Sequence, residues 1–213
     1  MPVLSGRRVL ITAGPTREYL DPVRFMTNAS SGAMGFALAA AARSLGARVT
    51  VVCGPVSLAA PRGVTVVPVV GAAQMRRETL KRSGAAALVI GAAAVSDWRF
   101  AAASRHKIKR RPGALRLTLL PNPDIIKDAA SRRRPGQVFV GFALETRAAV
   151  KNARVKLARK GLDMIVANGP ENLASGRAKV VLVSRDAATA VPEGPKAYVA
   201  RAIVLEAVKH LER

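Results

Sequence analysis

The first part of the chain alternates between short apolar runs and apolar positions spaced as on one face of a helix. Residues 8–14 form an apolar run that ends in glycine and has the length of a buried parallel strand. The helical spacing that follows is carried by Met34, Leu38, Ala41, Ala42 and Leu45. Gly46 then stands where a helix C-terminus favours a residue that tolerates positive φ, and residues 48–53 predict a second strand. This pattern predicts a β–α–β unit, whose crossover is almost always right-handed.

The alternation continues along the rest of the chain with one charged interruption, at residues 97–112. We expect this interruption to be a mobile excursion, with a weaker strand pattern after it at 115–120 and a short helix opened by Pro123 with Asn122 as its N-cap. The clear patterns predict strands at 64–70, 86–92, 138–142, 164–167 and 178–184 and helices at 72–83, 146–160 and 196–211. The chain is therefore predicted to form one α/β domain, residues 1–213, with a doubly wound, Rossmann-like parallel sheet and additional C-terminal strands.

The charge of the chain is strongly positive. It has 35 Lys and Arg residues against 13 Asp and Glu residues, a net charge of +22, and only 4% aromatic residues. Nucleic acid is therefore a partner to consider, because phosphates attract Lys and Arg. The positive residues are scattered, however, and few aromatic side chains are available to stack on bases, so nucleic-acid binding is the less favoured alternative.

Cysteine content and hydropathy exclude two other classes of protein. Cys53 is the only cysteine, so no disulfide within the chain is possible. No apolar run approaches the ~20 residues of a membrane-spanning helix, and the N-terminal residues do not form the pattern of a secretory signal. We therefore expect a cytoplasmic protein that does not enter the membrane. Cys53, His106 and His210 are too scattered to predict a metal site.

The segment between the first predicted strand and the first predicted helix is the first candidate site. Ligands of open α/β sheets bind beyond the carboxyl ends of the strands, which is where this segment lies. Ser30, Ser31 and Gly32 come just before the helix, where backbone N–H groups and hydroxyls can bind an anion beside the positive end of the helix dipole. The alternative is structural: a serine caps the helix, and Gly35 allows the helix to pack closely on the strand.

A nicotinamide-dependent reductase is a further alternative, because such enzymes also have glycine and serine at this place. The second strand ends at Cys53 and Gly54 without an acidic residue that could bind a ribose. Neither Tyr19 nor Tyr198 has a lysine four residues later, so a Tyr/Lys acid–base pair is absent. The loop also lacks the Gly-Lys-Ser/Thr ending of a phosphate-binding P-loop. These absences disfavour a nicotinamide-dependent reductase and a P-loop nucleotide-binding protein.

A series of motifs resembles the phosphopantothenate–cysteine ligase family of coenzyme A biosynthesis over essentially the whole chain. One of them is Asn28-x-Ser30-Ser31-Gly32-x-Met34-Gly35. The others, in order, lie at residues 12–18, 21–25, 92–98, 107–109, 122–125, 141–146 and 167–168. In many bacteria a domain of this family is the C-terminal half of a bifunctional protein whose other half is a flavin-dependent decarboxylase.

The resemblance implies a ligation in two steps. The carboxylate of 4′-phosphopantothenate attacks the α-phosphate of CTP to give an acyl-cytidylate and pyrophosphate, and the amine of L-cysteine then displaces CMP. The first nucleophile is already an anion, so positioning and positive charge matter more than a strong base. Mg²⁺ is expected with CTP, and its ligands stay open. ATP replaces CTP in the eukaryotic branch of the family, whereas the motifs here favour CTP. The family is dimeric, with late strands such as residues 178–184 as candidates for subunit pairing.

The resemblance also implies roles for individual residues. Asn28 matches a catalytic asparagine that acts in turnover of the acyl-cytidylate, and its structural alternative is a turn asparagine that bonds its own backbone. Lys107 matches a catalytic lysine on a flexible flap, about residues 98–113, and its alternative is a solvated surface lysine. Arg24 is the candidate for the phosphate of the substrate, either within its own subunit or across a dimer interface.

The implied nucleotide site draws on several segments. Lys156 and Lys160 project from one helix face, where a triphosphate between them would offset their repulsion. Asp97 is expected to contact either the base or a metal-bound phosphate. The family commonly has Lys or Arg at the position of Ala33, so a cation is either lost here or dispensable. The nucleotide-binding candidates are Ser30, Ser31, Gly32, Gly91, Ala92, Ala93, Asp97, Lys107, Asn122, Pro123, Asp124, Ile125, Phe142, Lys156 and Lys160.

Overall fold

A computed structural model of the chain describes residues 2–145, 147–172 and 175–212. The strands in chain order are β1 Arg8–Ala13, β2 Arg17–Tyr19, β3 Phe25–Thr27, β4 Arg48–Cys53, β5 Thr65–Pro68, β6 Leu88–Gly91, β7 Trp98–Phe100, β8 Leu119–Pro121, β9 Val138–Leu144, β10 Met164–Asn168, β11 Arg177–Val183 and β12 Ala188–Pro195. The helices are α1 Ala33–Ser44, α2 Ala72–Ser83, α3 Ile125–Ala130, α4 Ala149–Lys160 and α5 Lys196–Leu211, with a single 3₁₀ turn at Pro170–Asn172 in the described residues.

The main sheet has the strand order β12-β11-β10-β9-β6-β1-β4-β5. The six adjacent strands β5, β4, β1, β6, β9 and β10 are parallel. Strand β11 runs antiparallel to β10, and β12 runs antiparallel to β11. The chain moves outward from β1 in one direction through β4 and β5 and then returns to β6 on the other side. The predicted doubly wound fold with additional C-terminal strands is confirmed, and its topological switch point lies between β1 and β6.

Helices cover both faces of the sheet, so the central strands are buried on both sides. Ile11 belongs to the core beneath α1 and α5, whereas its neighbour Leu10 belongs to the core beneath α2, α3 and α4. A Cβ atom on Gly35 would lie only 2.4 Å from the Cβ of Ala13. The close packing of α1 on β1 that the sequence suggested for Gly35 is therefore present. Within the described ranges, no helix combines the length and the hydropathy that a membrane crossing requires.

Four local predictions were wrong or incomplete. Asn122 is not the N-cap of α3: the Asp124 carboxylate caps it by accepting the Lys127 N–H at 3.2 Å. The Asn122 carboxamide instead donates to the Ser96 carbonyl at 2.9 Å. The polar stretch after β1 contains the β2–β3 hairpin, and the charged excursion begins with β7, which pairs with β8. The helix predicted from 146 begins at Ala149, and residue 146 lies outside the described residues.

The late strand predicted at 178–184 is β11, and it lies inside the sheet. Its two edges are hydrogen-bonded to β10 and β12, so it offers no free edge to a second subunit. The edge on this side is β12, which the sequence analysis did not predict. A subunit contact through this edge of the sheet would therefore use β12 and not β11.

Candidate functional site

A cavity of about 780 Å³ opens at the carboxyl edge of the sheet. It lies against the ends of β1, β6, β9 and β10, so it includes the topological switch point where open α/β sheets bind ligands. Small-molecule sites commonly occupy ~300–1,000 Å³. The cavity is therefore in the expected place and has room for a ligand of nucleotide size.

One wall of the cavity is the loop that leads into α1. Gly32 is the N-cap of α1 with φ +77, and no side chain caps this helix. Ser30 and Ser31 accept the N–H groups of Gly32 and Ala33 through their hydroxyls, each at 3.4 Å. The N-cap of α1 is therefore Gly32 and not a serine, although the Ser31 hydroxyl accepts the N–H of Ala33, the first residue of the helix. Among the described residues, the N–H groups of Met34 and Gly35 have no side-chain acceptor, and both residues line the cavity. Such groups favour an anionic ligand.

Asn28 joins this loop to the segment that follows β6. Its carboxamide nitrogen donates to the carbonyl oxygens of Ala94 at 3.3 Å and Val95 at 3.0 Å. The alternative of a turn asparagine that bonds its own backbone does not hold, because both acceptors belong to a distant segment. Across the described residues, the carboxamide oxygen has no hydrogen-bond partner, so it can accept a hydrogen bond from a ligand.

The opposite wall combines the end of β6 with the loop before α3. Gly91, Ala92 and Ala93 line the cavity, and a Cβ on Gly91 would lie 3.2 Å from the Ile126 side chain. These small residues therefore allow close packing against α3, and their role in nucleotide binding stays a prediction. The Asn122 N–H donates to the Asp97 carbonyl at 2.8 Å, which fixes the two loops to each other.

Two lysines bring positive charge to the cavity, and each is paired with a carboxylate. The Lys156 Nζ lies 2.6 Å from Glu145 Oε1, and the Lys160 Nζ lies 3.0 Å from Asp124 Oδ2. The hydrogen bond from Lys156 is the main cause that lowers the pKa of Glu145, and Asn152 adds a second at 2.8 Å. The expectation that an anion is needed to offset the two lysines is wrong, because the protein itself supplies both counter-charges.

The cavity brings together most of the residues that the sequence predicted. Its wall includes Asn28 and every nucleotide-binding candidate except Lys107. Lys107 is exposed in the segment after β7, and Arg24 lies in the turn between β2 and β3, where it forms a 2.7 Å ion pair with Asp21. Neither residue lines the cavity, so their roles stay predictions.

The sequence analysis missed six polar residues of the cavity wall: Thr12, Thr79, Ser96, Asn168, Asn172 and Lys196. Asn168 belongs to a quoted motif, which was a signal that went unused. Asn172 has a structural task, since its carboxamide exchanges two hydrogen bonds with the backbone of Lys179, at 2.8 and 3.1 Å. Lys196 begins α5, and burial lowers its pKa. Nothing local in the sequence distinguishes Asn172 or Lys196 from surface residues.

Metal-ligand clusters are absent from the described part of the chain: no three His, Cys, Asp or Glu side chains come together there. Cys53 is buried at the end of β4, and burial raises the pKa of its thiol. Ala33 lies on the cavity wall, so a longer cationic side chain at this position would border the cavity.

Residues 4–211 match the family model of the DNA/pantothenate metabolism flavoprotein C-terminal domain. The chain belongs to this family. The match confirms the family identified from the motifs.

Relatives of this DNA/pantothenate metabolism flavoprotein C-terminal domain include two bacterial coenzyme A biosynthesis bifunctional proteins CoaBC. The protein from Bacillus subtilis is 49% identical over 166 residues, which cover 78% of this chain and 41% of that protein. The protein from Vibrio cholerae is 48% identical over 168 residues, which cover 78% of this chain and 42% of that protein. The chain thus spans about two fifths of the length of these relatives.

The fold of the domain has a solved counterpart. The crystal structure of the C-terminal domain of a coenzyme A biosynthesis bifunctional protein CoaBC superposes with a TM-score of 0.86 and is 38% identical. The likeness covers 100% of this chain and 99% of that chain. The whole described fold, including the C-terminal strands, therefore corresponds to that domain.

Proposed function

We propose that this chain joins 4′-phosphopantothenate to L-cysteine in coenzyme A biosynthesis, with CTP as the activating nucleotide. Membership of the family and the names of the bacterial relatives support this proposal. The observation that carries it is the single cavity that gathers Asn28, the uncapped start of α1 and the lysine pair Lys156 and Lys160. An asparagine oxygen, open N–H groups and paired cations are what a carboxylate-activating reaction on a triphosphate requires.

In the first step, a carboxylate oxygen of 4′-phosphopantothenate forms a bond to the α-phosphorus of CTP. The bond from that phosphorus to the bridging oxygen breaks, and pyrophosphate leaves with the electron pair. The protein needs no general base here, because the nucleophile is an anion. Its task is to hold and neutralise phosphate oxygens. The position of Lys156, Lys160 and the start of α1 on the cavity wall supports this role for them.

In the second step, the amine nitrogen of L-cysteine bonds to the acyl carbon and the bond to the CMP oxygen breaks. CMP leaves with the electron pair of that bond, and the proton that the nitrogen loses as the amide forms passes to solvent water. The free carboxamide oxygen of Asn28 accepts one N–H of that amine and orients its lone pair toward the acyl carbon. The contacts to the carbonyls of Ala94 and Val95 hold the carboxamide in this orientation.

Magnesium fits this site as a companion of the nucleotide. Mg²⁺ in such sites usually keeps several waters and takes one or two carboxylates together with substrate phosphates. Asp97 lies exposed on the cavity wall and can provide one carboxylate, whereas the Asp124 oxygens are engaged by the Lys127 N–H and by Lys160. When bound, the ion neutralises charge on the triphosphate.

The proposed compartment is the cytoplasm, where nucleoside triphosphates are available.

The test is a product analysis with the purified chain, Mg²⁺ and CTP. We expect pyrophosphate release only when 4′-phosphopantothenate is present, and CMP release with amide formation only after cysteine is added. ATP is assayed in parallel and should support a slower reaction. Absence of CMP after cysteine addition contradicts the proposal. A titration with duplex DNA tests the alternative: binding with a steep salt dependence and no affinity for CTP would favour nucleic-acid binding.

Two finer features belong to the same proposal. Lys107→Ala should slow formation of the acyl-nucleotide far more than it weakens CTP binding, and near-normal single-turnover activation in this variant removes Lys107 from the mechanism. We also propose a homodimer, whose mass light scattering coupled to size exclusion would measure. A monomer at micromolar concentration contradicts that part alone.

A further inference from the structure

We propose that Asp21 is a positioning residue that anchors the flap, residues 98–113, to the β2–β3 turn and thereby fixes the backbone from which Lys107 extends. The inference rests on the proposed function, because it concerns the lysine assigned to the first step. It assigns a role to a buried carboxylate outside the cavity and to its contacts with the flap.

Asp21 lies in the turn between β2 and β3, and its side chain is completely buried. One carboxylate oxygen accepts the N–H groups of Val23 at 2.9 Å and Arg24 at 2.8 Å, which close the turn. The other oxygen accepts the N–H of Ile108 at 3.1 Å and the Arg24 Nε at 3.0 Å. Half of this carboxylate therefore shapes its own turn, and the other half reaches a residue 87 positions away.

Arg24 binds the other backbone polar group of Ile108, its carbonyl oxygen. Its Nη2 donates to the Ile108 carbonyl at 2.6 Å. Both backbone polar groups of Ile108 are thus held by the Asp21–Arg24 pair. A second contact lies nearby, where the Ser104 N–H donates to the Leu20 carbonyl at 2.8 Å. The flap is therefore fixed to the β2–β3 turn at two points, and Lys107 lies between them.

Electrostatics explain why the anchor is a carboxylate. Burial acts to raise the pKa of Asp21, but the N–H groups of Val23, Ile108 and Arg24 and the Arg24 side chain more than offset it and hold the pKa well below its usual range. The segment 98–118 has seven Lys and Arg residues and no Asp or Glu. The rest of this strongly positive protein repels the positive segment 98–118, and the negative charge of Asp21 at the base of the segment offsets part of that repulsion.

The anchor constrains Lys107 without touching it. Because Ile108 follows Lys107 directly, fixing the Ile108 N–H fixes the peptide group through which Lys107 is connected. The long lysine side chain keeps its freedom, while the backbone from which it extends is held. Losing the anchor should therefore reduce the fraction of molecules in which Lys107 is correctly placed, and leave the cavity itself intact.

Asp21→Asn is the informative variant, because it keeps the shape of the side chain and removes its charge and half of its acceptor capacity. The matched control is Asp186→Asn, which removes the same charge from an exposed position between β11 and β12. The first measurement is limited trypsin digestion without ligands, with cleavage between Arg105 and Arg110 followed by mass spectrometry. We expect cleavage about tenfold faster in Asp21→Asn than in the wild-type chain or the control, from the loss of charge-assisted hydrogen bonds.

The second measurement is single-turnover pyrophosphate release. Asp21→Asn should slow this step about tenfold while the dissociation constant of CTP changes less than about twofold. In a Lys107→Ala background, Asp21→Asn should have no further effect, because a residue that acts through Lys107 has nothing left to position. A merely structural role would slow both backgrounds equally.

Several outcomes overturn the inference. Equal cleavage of Asp21→Asn and Asp186→Asn shows that the carboxylate does not hold the flap, and additive effects in the double variant show that it does not act through Lys107. If circular dichroism shows that Asp21→Asn is unfolded, Arg24→Lys takes its place in the trypsin measurement alone, because Arg24 is also the candidate for the phosphate of the substrate. This variant removes the guanidinium contact to Ile108, so unchanged cleavage overturns the anchor. A wild-type chain that releases no pyrophosphate refutes the proposed function, whereas an active wild type with an unaffected Asp21→Asn refutes only the anchor.

Discussion

Lys156→Met tests the assignment of the cavity to a triphosphate most directly. Methionine keeps an unbranched side chain and removes one positive charge from the cavity wall. Lys156 lies on α4, and the same helix supplies a matched control in Lys151, which is exposed and does not line the cavity. Both variants remove one lysine charge from the same helix, but only Lys156 faces the cavity, and only Lys156→Met also breaks the ion pair with Glu145.

The size of the effect follows from the surroundings of the lysine. Two unit charges ~4 Å apart attract by about 4 kcal/mol at an effective dielectric constant near 20. The Lys156 side chain is 35% exposed and already interacts with Glu145, so solvent and the existing ion pair both reduce the gain on binding phosphate. A loss of about 1–2 kcal/mol is therefore expected, which corresponds to a roughly 5- to 30-fold weaker affinity for CTP.

Isothermal titration calorimetry with CTP and Mg²⁺ measures this loss at two salt concentrations. Lys156→Met should weaken binding by the stated factor and flatten its salt dependence, whereas Lys151→Met should bind within about twofold of the wild type. The reasoning is refuted if the two variants bind CTP equally well. Equal weakening would mean that only the overall charge of the chain attracts the nucleotide.

Four further results are expected. Gly35→Ala should lower the free energy of unfolding by about 1–3 kcal/mol in urea titrations, because its Cβ has no room against β1. Ala33→Lys should tighten CTP binding several-fold in calorimetry, since it adds a cation to the cavity wall. Asn28→Ala should slow the cysteine step about a hundredfold and let the acyl-nucleotide accumulate in quenched-flow samples. The pKa of Glu145 is lowered in the folded state, so its contribution to stability is fully present above the unfolded pKa and is lost as the pH falls through the folded pKa. The destabilisation caused by Lys156→Met should therefore fade in acid.

Controls for these variants come from the same structure. Gly176 has no neighbour within 4 Å of an added Cβ, so Gly176→Ala should leave the unfolding midpoint unchanged. Ala40→Lys adds the same cation to an exposed position of α1 away from the cavity and should not tighten CTP binding. Failure of the acyl-nucleotide to accumulate in Asn28→Ala contradicts the role in the second step. If the destabilisation caused by Lys156→Met is the same at acid and neutral pH, Glu145 is not the partner of Lys156.

The central sheet was predictable because its signal is local. Strands buried on both faces appear as continuous apolar runs, and the six residues of β4 were predicted with the observed bounds. The helices α2 and α5 were likewise predicted residue for residue, since each repeats apolar positions at helical spacing. Most residues of the cavity wall were expected for a different reason, namely the resemblance to a known family, whose motifs here follow strands with carboxyl ends that meet at one edge.

The missed elements depend on partners that are distant or exposed. The β2–β3 hairpin is held by side-chain contacts across its strands, with the Tyr19 and Phe25 rings 5.2 Å apart and the Arg17 guanidinium 4.5 Å from the Phe25 ring centre. Strand β12 contains two prolines and is mostly exposed, so it has no apolar pattern, yet prolines are tolerated on an edge strand. No local pattern predicts such pairing.

The charges of the cavity show where sequence reasoning stops. The spacing of Lys156 and Lys160 places them on one face of a helix, but only the folded chain brings Glu145 from the end of β9 and Asp124 from the start of α3 to meet them. A bound phosphate must therefore compete with a carboxylate for each ammonium group. The binding energy is the difference between two ion pairs, which is why removing one lysine should cost less than the bare Coulomb attraction. The same carboxylates hold the lysines at the cavity before the nucleotide arrives, so less side-chain entropy is lost when it binds.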